Sequence, residues 1–64
     1  MAYTLKQARQ LRDKTQLDMA VALNVCRDTY RAIELNPEQA TIQQAKTICK
    51  FLEMSLEEIN FFAS

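Results

Sequence analysis

Apolar residues recur along this chain three and four positions apart, the repeat of one helix face, and nowhere sustain the alternation of a strand. Leu5, Ala8 and either Leu11 or Arg12 mark a first helix over about 4–13. Thr15 opens a second, and Asp18, three residues on, places a carboxylate in its first turn. That helix runs over about 16–23 with Met19, Ala20 and Leu23 inward. Cys26 precedes a third, over about 27–35, whose inward positions are Tyr30 and Ile33. Pro37 closes the region, because its ring cannot continue a helix. Thr41-Ile42-Gln43-Gln44 has the form of a capping box and starts a fourth helix, with Ile42, Ala45, Ile48, Cys49 and Leu52 as its apolar stripe. Ser55-Leu56-Glu57-Glu58 is a second such box. It predicts a short fifth helix with Leu56 and Ile59 inward. The pattern therefore predicts an all-α fold, a compact five-helix domain spanning 1–64 with short connections.

The second and third helices are joined so closely, with Asn24 at the turn, that they cannot lie antiparallel. They must cross steeply, which presents the third outward. This is the helix-turn-helix arrangement, whose second helix fits the DNA major groove.

Size limits what else the chain can be. Ordering 64 residues costs about 1.5 kcal/mol each, on the order of 100 kcal/mol in all. A hydrophobic content of 48% is enough for one core. No stretch has the length and apolarity of a membrane span. The start, Met1 to Lys6, lacks the apolar run of a signal peptide, so a cytoplasmic location is expected. The two cysteines, Cys26 and Cys49, read as free thiols in a reducing compartment, with Cys26 packed. Without His or a Cys-x-x-Cys pair no metal site is expected. With no Gly-rich loop and no catalytic constellation, neither an enzyme nor a cofactor is expected.

A formal net charge of zero argues at first sight against a nucleic-acid partner. Its distribution changes that picture. Through Arg31 there are six cations against three carboxylates, and beyond it two against five. One part of the chain can face phosphates while the other stays acidic.

Thr15, Gln16 and Ala20, then a turn, then Arg27, Thr29, Ile33 and Glu34 follow the pattern Thr-Gln-x-x-x-Ala and Arg-x-Thr-x-x-x-Ile-Glu. Ile48, Leu52, Ser55 and Leu56 continue it. From Leu5 to Ile59 the chain resembles the Cro/cI-type (XRE-like) helix-turn-helix repressors of phages and bacteria. It departs from them at Asn24, where the family has Gly, at Cys26, where it has Ser or Thr, and at Ala40, where it has Pro. Lys14 stands at a commonly apolar position, and Leu17 and Val21 at commonly polar ones. The resemblance implies a lambda-repressor-like fold and a sequence-specific DNA-binding transcriptional regulator. A palindromic double-stranded operator would bring two copies together as a homodimer, formed beforehand or only on DNA.

Arg27 opens the recognition helix, where a guanidinium can grip guanine O6 and N7 for about 1–3 kcal/mol of discrimination. A cation there opposes the macrodipole by roughly 0.3–1 kcal/mol, a cost that favours a functional reason. Asp28 suits either cytosine N4 or the helix's positive end. Arg31, four residues after Arg27, reaches a phosphate or a base edge, or is simply solvated. Ala32 is small enough to meet a thymine methyl, and the resemblance places Thr29 at base or backbone. It also sets Gln16 against a phosphate, with Lys14 near, and the Thr41 end of helix 4 can hold another. By resemblance Arg9 and Glu34 form a structural ion pair. Leu17 and Val21 share a face, and either Leu17 fills space left by Lys14 at the core edge or the two form a patch for a protein partner. Phe61 and Phe62 either enter the core or form a dimer seam. The rival reading is accordingly an anti-repressor or modulator that binds another repressor through Leu17, Val21 or the Phe61-Phe62 tail.

Overall fold

The computed structural model describes residues 2–61. Four α-helices follow in order: α1 (Leu5–Leu11), α2 (Gln16–Leu23), α3 (Arg27–Leu35) and α4 (Ile42–Leu52). Single 3-10 turns occupy Pro37–Gln39 and Leu56–Glu58. α2 packs chiefly on α3 and α4.

Threonine starts three of the four helices. Thr4, Thr15 and Thr41 each accept from the backbone N–H three residues on, and Gln7, Asp18 and Gln44 reach back to the threonine N–H. Each box satisfies two donors that a helix start otherwise leaves orphaned. The Thr4 box was not anticipated from the sequence, although Thr4 and Gln7 have the same spacing as Thr41 and Gln44.

Three helix ends are closed in one way without any glycine. Asp13, Asn24 and Glu53 take φ of 56°, 58° and 55°. The next residue's N–H then returns to a carbonyl five residues back: Lys14 to Arg9 at 3.2 Å, Val25 to Ala20 at 3.0 Å, Met54 to Cys49 at 2.9 Å. These bonds satisfy the last carbonyls of α1, α2 and α4. Asn and Asp tolerate this conformation through short polar side chains. Glu53 lacks that excuse, but Arg12 clasps the same helix end, donating Nε to the Leu52 carbonyl at 2.8 Å and Nη2 to that of Glu53 at 3.4 Å. A cation at a helix C-terminus also suits the macrodipole.

The core takes Leu5 and Ala8 from α1, Met19 and Ala20 from α2, Tyr30 and Ile33 from α3, and Ile48 and Leu52 from α4, closed by Met54, Ile59 and Phe61. Tyr30, Leu5, Met19, Ile48 and Leu52 are its largest fully enclosed side chains.

Several expectations need correction. The fifth helix is only one 3-10 turn. After Glu58 the backbone goes extended, and Ile59 forms an isolated parallel bridge to Tyr3, with Tyr3 N–H donating to the Glu58 carbonyl and Asn60 N–H to the Tyr3 carbonyl, both at 2.8 Å. Two backbone bonds to the start of the chain thus replace the continuation of the helix. Ile59 is inward as expected, but Leu56 is exposed. Ile42 does not join the stripe of α4 either, because it sits in the first turn beyond the reach of the core, and is 79% exposed. Leu11 is exposed while Arg12 crosses to α4, so neither is a core residue of α1.

Candidate nucleic-acid interface

Tyr30 and Ile33 fix the rotation of α3 by entering the core, and everything between them faces out. Arg27, Asp28, Thr29, Arg31 and Ala32 are all exposed. At the start of α3, Cys26 makes no side-chain cap. Its thiol lies 3.0 Å from Thr29 Oγ1. That hydrogen bond holds the thiol below its ordinary pKa. Cys26 is exposed, which overturns the packed thiol expected from the sequence. The first amides of α3 are thus covered only by this sulfur, a weak acceptor, and a helix start in that state favours an anion. Both cysteines are free, and burial pushes the Cys49 thiol up.

Three open grooves surround α3. One runs between α1 and α2 and brings Lys14, Gln16 and Leu17 to Arg27. A second joins Gln16 to Arg31, with Lys6 of α1 on its wall. The third sets Asp28, Thr29 and Ala32 opposite Thr41, with Gln39 and Gln44 beside it. The DNA-contact candidates thus converge on α3 and its two flanks. Lys6, Gln39 and Gln44 were missed by sequence reasoning. The sequence marks Gln44 only as a cap, and nothing in the spacing of Lys6 marks its closeness to α3, which depends on how α1 packs. Lys14 is half-buried, with its ammonium 5.1 Å from the centre of the Phe51 ring.

Beneath this face Arg9 and Glu34 lock α1 to the end of α3. Arg9 Nε donates to Glu34 Oε2 at 2.9 Å and Nη2 to Oε1 at 3.0 Å, while Nη1 donates to the Lys14 carbonyl at 2.8 Å. Gln16 Nε2 donates to Glu34 Oε1 at 3.4 Å, a longer contact. The side chains of the pair are only 11% and 5% exposed. Burial works against the ionised Glu34 carboxyl, but the hydrogen bonds and charge of Arg9, with the Tyr30 hydroxyl nearby, outweigh it and hold its pKa below the ordinary value. The Tyr30 hydroxyl is enclosed and makes no hydrogen bond of standard geometry, yet lies near enough to Glu34 and Arg9 to feel both. Burial first, then Glu34, keeps its proton on. Gln16, the Lys14 carbonyl and α3, through the Glu34 side chain, are thereby tied to one charged clamp.

The remaining candidates divide. Leu17 and Val21 are 57% and 72% exposed, so neither fills the core edge, and the Lys14 ammonium lies over the half-buried Phe51. Phe61 is 3% exposed and belongs to the core, which removes it from any partner surface. Phe62 lies outside the described residues.

A helix-turn-helix family profile matches residues 5–59, from the first residue of α1 to the residue that bridges Tyr3. The chain belongs to the Cro/cI-type (XRE-like) helix-turn-helix family. The comparisons with curated proteins and with solved structures give no match. Membership makes this helix-turn-helix protein a DNA-binding regulator of transcription, the kind of partner for which an outward α3 is suited. Among the described residues no helix is long and apolar enough to cross a membrane.

Proposed function

We propose that this helix-turn-helix protein is a sequence-specific repressor that inserts α3 into the major groove. The exposure of the whole Arg27–Ala32 outer face, framed by Gln16 on one flank and Thr41 on the other, carries the reading. Arg27, Asp28, Thr29, Arg31 and Ala32 supply base and backbone contacts, and Gln16 and Thr41 hold phosphates, while the ammonium of Lys14 stays over Phe51. One module makes few contacts. Two copies on a palindrome, with their recognition helices about 34 Å apart, would add them.

Footprinting on the DNA that flanks its own gene, followed by titration of the protected duplex, tests this. Arg27→Ala and Arg31→Ala each weaken binding by about 1–3 kcal/mol, roughly 5–150-fold, and Arg27→Ala relaxes preference at one base pair. Unchanged binding by both variants, with their folds intact, rejects the reading.

The exposure of Leu17 and Val21 favours a second reading, in which the same fold holds another repressor. In that case Leu17→Lys or Val21→Lys breaks a protein complex while Arg27→Ala leaves it whole.

A further inference from the structure

The Glu34 carboxylate has a donor beside it that it does not use. Oε2 accepts from Arg9 Nε at 2.9 Å, and Oε1 accepts from Arg9 Nη2 at 3.0 Å and from Gln16 Nε2 at 3.4 Å. The bond from Gln16 is stretched beyond the usual range. Tyr30 is wholly enclosed, and its hydroxyl lies near this carboxylate yet pairs with nothing in standard geometry. A buried hydroxyl without a partner is destabilising, and phenylalanine would fill the same space without that penalty.

Gln16 supplies a reason for the hydroxyl. Its side chain is half-buried and reaches inward to Glu34. It also lines both open grooves at this end of α3, one shared with Arg27 and the other with Lys6 and Arg31. A phosphate held by those cations is an ionised acceptor within the same grooves and competes with Glu34 for the Gln16 amide. When the amide leaves, a carboxylate whose side chain is only 5% exposed loses a donor.

We propose that the Tyr30 hydroxyl is a positioning group for DNA binding, taking the place of Gln16 on the Glu34 carboxylate when Gln16 turns outward to a backbone phosphate. The clamp then keeps its donors in both states, and Gln16 is free to move. The phosphate rests on the DNA reading above; the exchange of donors on Glu34 is open to test without DNA. The hydroxyl destabilises the free protein and supports the bound one, two opposite signs that a merely structural tyrosine does not give.

Tyr30→Phe, made alone and together with Gln16→Ala, tests it by thermal melts without DNA and by anisotropy titration of a half-site duplex recovered by footprinting. Alone, Tyr30→Phe is expected to leave the melt in place or raise it, and to weaken half-site binding about tenfold, the effect of one lost hydrogen bond to a charged group. In the Gln16→Ala chain the hydroxyl already rests on Glu34. There Tyr30→Phe lowers the melt and costs no further affinity. The Cζ resonance of Tyr30 should move in one direction both on Gln16→Ala and on adding the duplex to the unaltered chain. Tyr30→Phe that shifts the melt equally in the two backgrounds overturns the proposal, as does a Cζ resonance that Gln16→Ala leaves in place. Full half-site affinity in Tyr30→Phe overturns it while the DNA reading stands. If no duplex is protected, the DNA reading falls, and the melts and the Cζ shift of the Gln16→Ala chain still decide the exchange.

Discussion

Glu34 is a buried carboxylate whose charge is made tolerable by one guanidinium, and that dependence has a sign. Its folded pKa is held below the ordinary 4.5, so the stabilisation from its pairing with Arg9 is complete above that value and is lost as pH falls through the lower folded one. The exposed cap carboxylates of Asp18 and Glu58 are shifted down as well, chiefly by the Thr15 and Ser55 amides, and contribute in the same direction. Urea unfolding followed downward from neutral pH should therefore show stability falling below about 4.5, and Glu34→Gln should flatten part of that fall while the two caps keep the rest. An acid slope identical in the variant would mean that the clamp adds nothing. At neutral pH Arg9→Ala should be worse than Glu34→Gln, because it strands a buried charge. Single residues were the least legible from sequence. The Arg9–Glu34 pair came through the family pattern and is present, whereas the reach of Arg12 to α4 depends on how two distant helices pack, and no local spacing records it.

Elements were more legible, because caps and periodicity are local. The starts of α2, α3 and α4 fall where Thr15, Cys26 and Thr41 put them. The predicted fifth helix failed for a non-local reason: Tyr3 offers Ile59 a backbone partner that no window around Ser55 contains. The weakest local feature is the start of α3, where sulfur replaces an oxygen acceptor and no side-chain cap forms. Cys26→Ser restores an acceptor within reach of the Thr29 amide. It should raise the thermal midpoint by a few degrees, read by circular dichroism, with the far-ultraviolet spectrum unchanged. A lowered midpoint would mean that the contact between the thiol and Thr29 Oγ1 already does the work of a cap. Asn24 supports this view of local chemistry: it takes the left-handed turn that the family gives to glycine, and the helix-turn-helix closes with its hydrogen bonds intact.

At the scale of the whole molecule, the balance of charge decides how the chain would meet DNA. A net charge of zero gives little long-range attraction to a polyanion, yet six of the eight cations lie at or before the end of α3, against four of the eight carboxylates. Of the cations near α3, Lys6, Arg27 and Arg31 are exposed, while Lys14 is drawn over Phe51 and Arg9 is committed to Glu34. About three charges per copy are then free to displace counterions. Each displaced counterion contributes about 0.9 to the slope of log K against log salt, so one copy on a half-site should show a slope of roughly three. Lys6→Ala should lower that slope by about one and weaken all sequences alike, since a phosphate contact reads no base. Arg27→Ala should instead change which sequence is preferred. Anisotropy titrations of a fixed half-site duplex across a salt series separate the two outcomes. A slope that Lys6→Ala leaves untouched would move the duplex away from the groove where Lys6, Gln16 and Arg31 meet. The protein would then contact DNA from the Thr41 side alone, with α3 rolled toward Asp28 and Ala32 and Arg31 left in solvent.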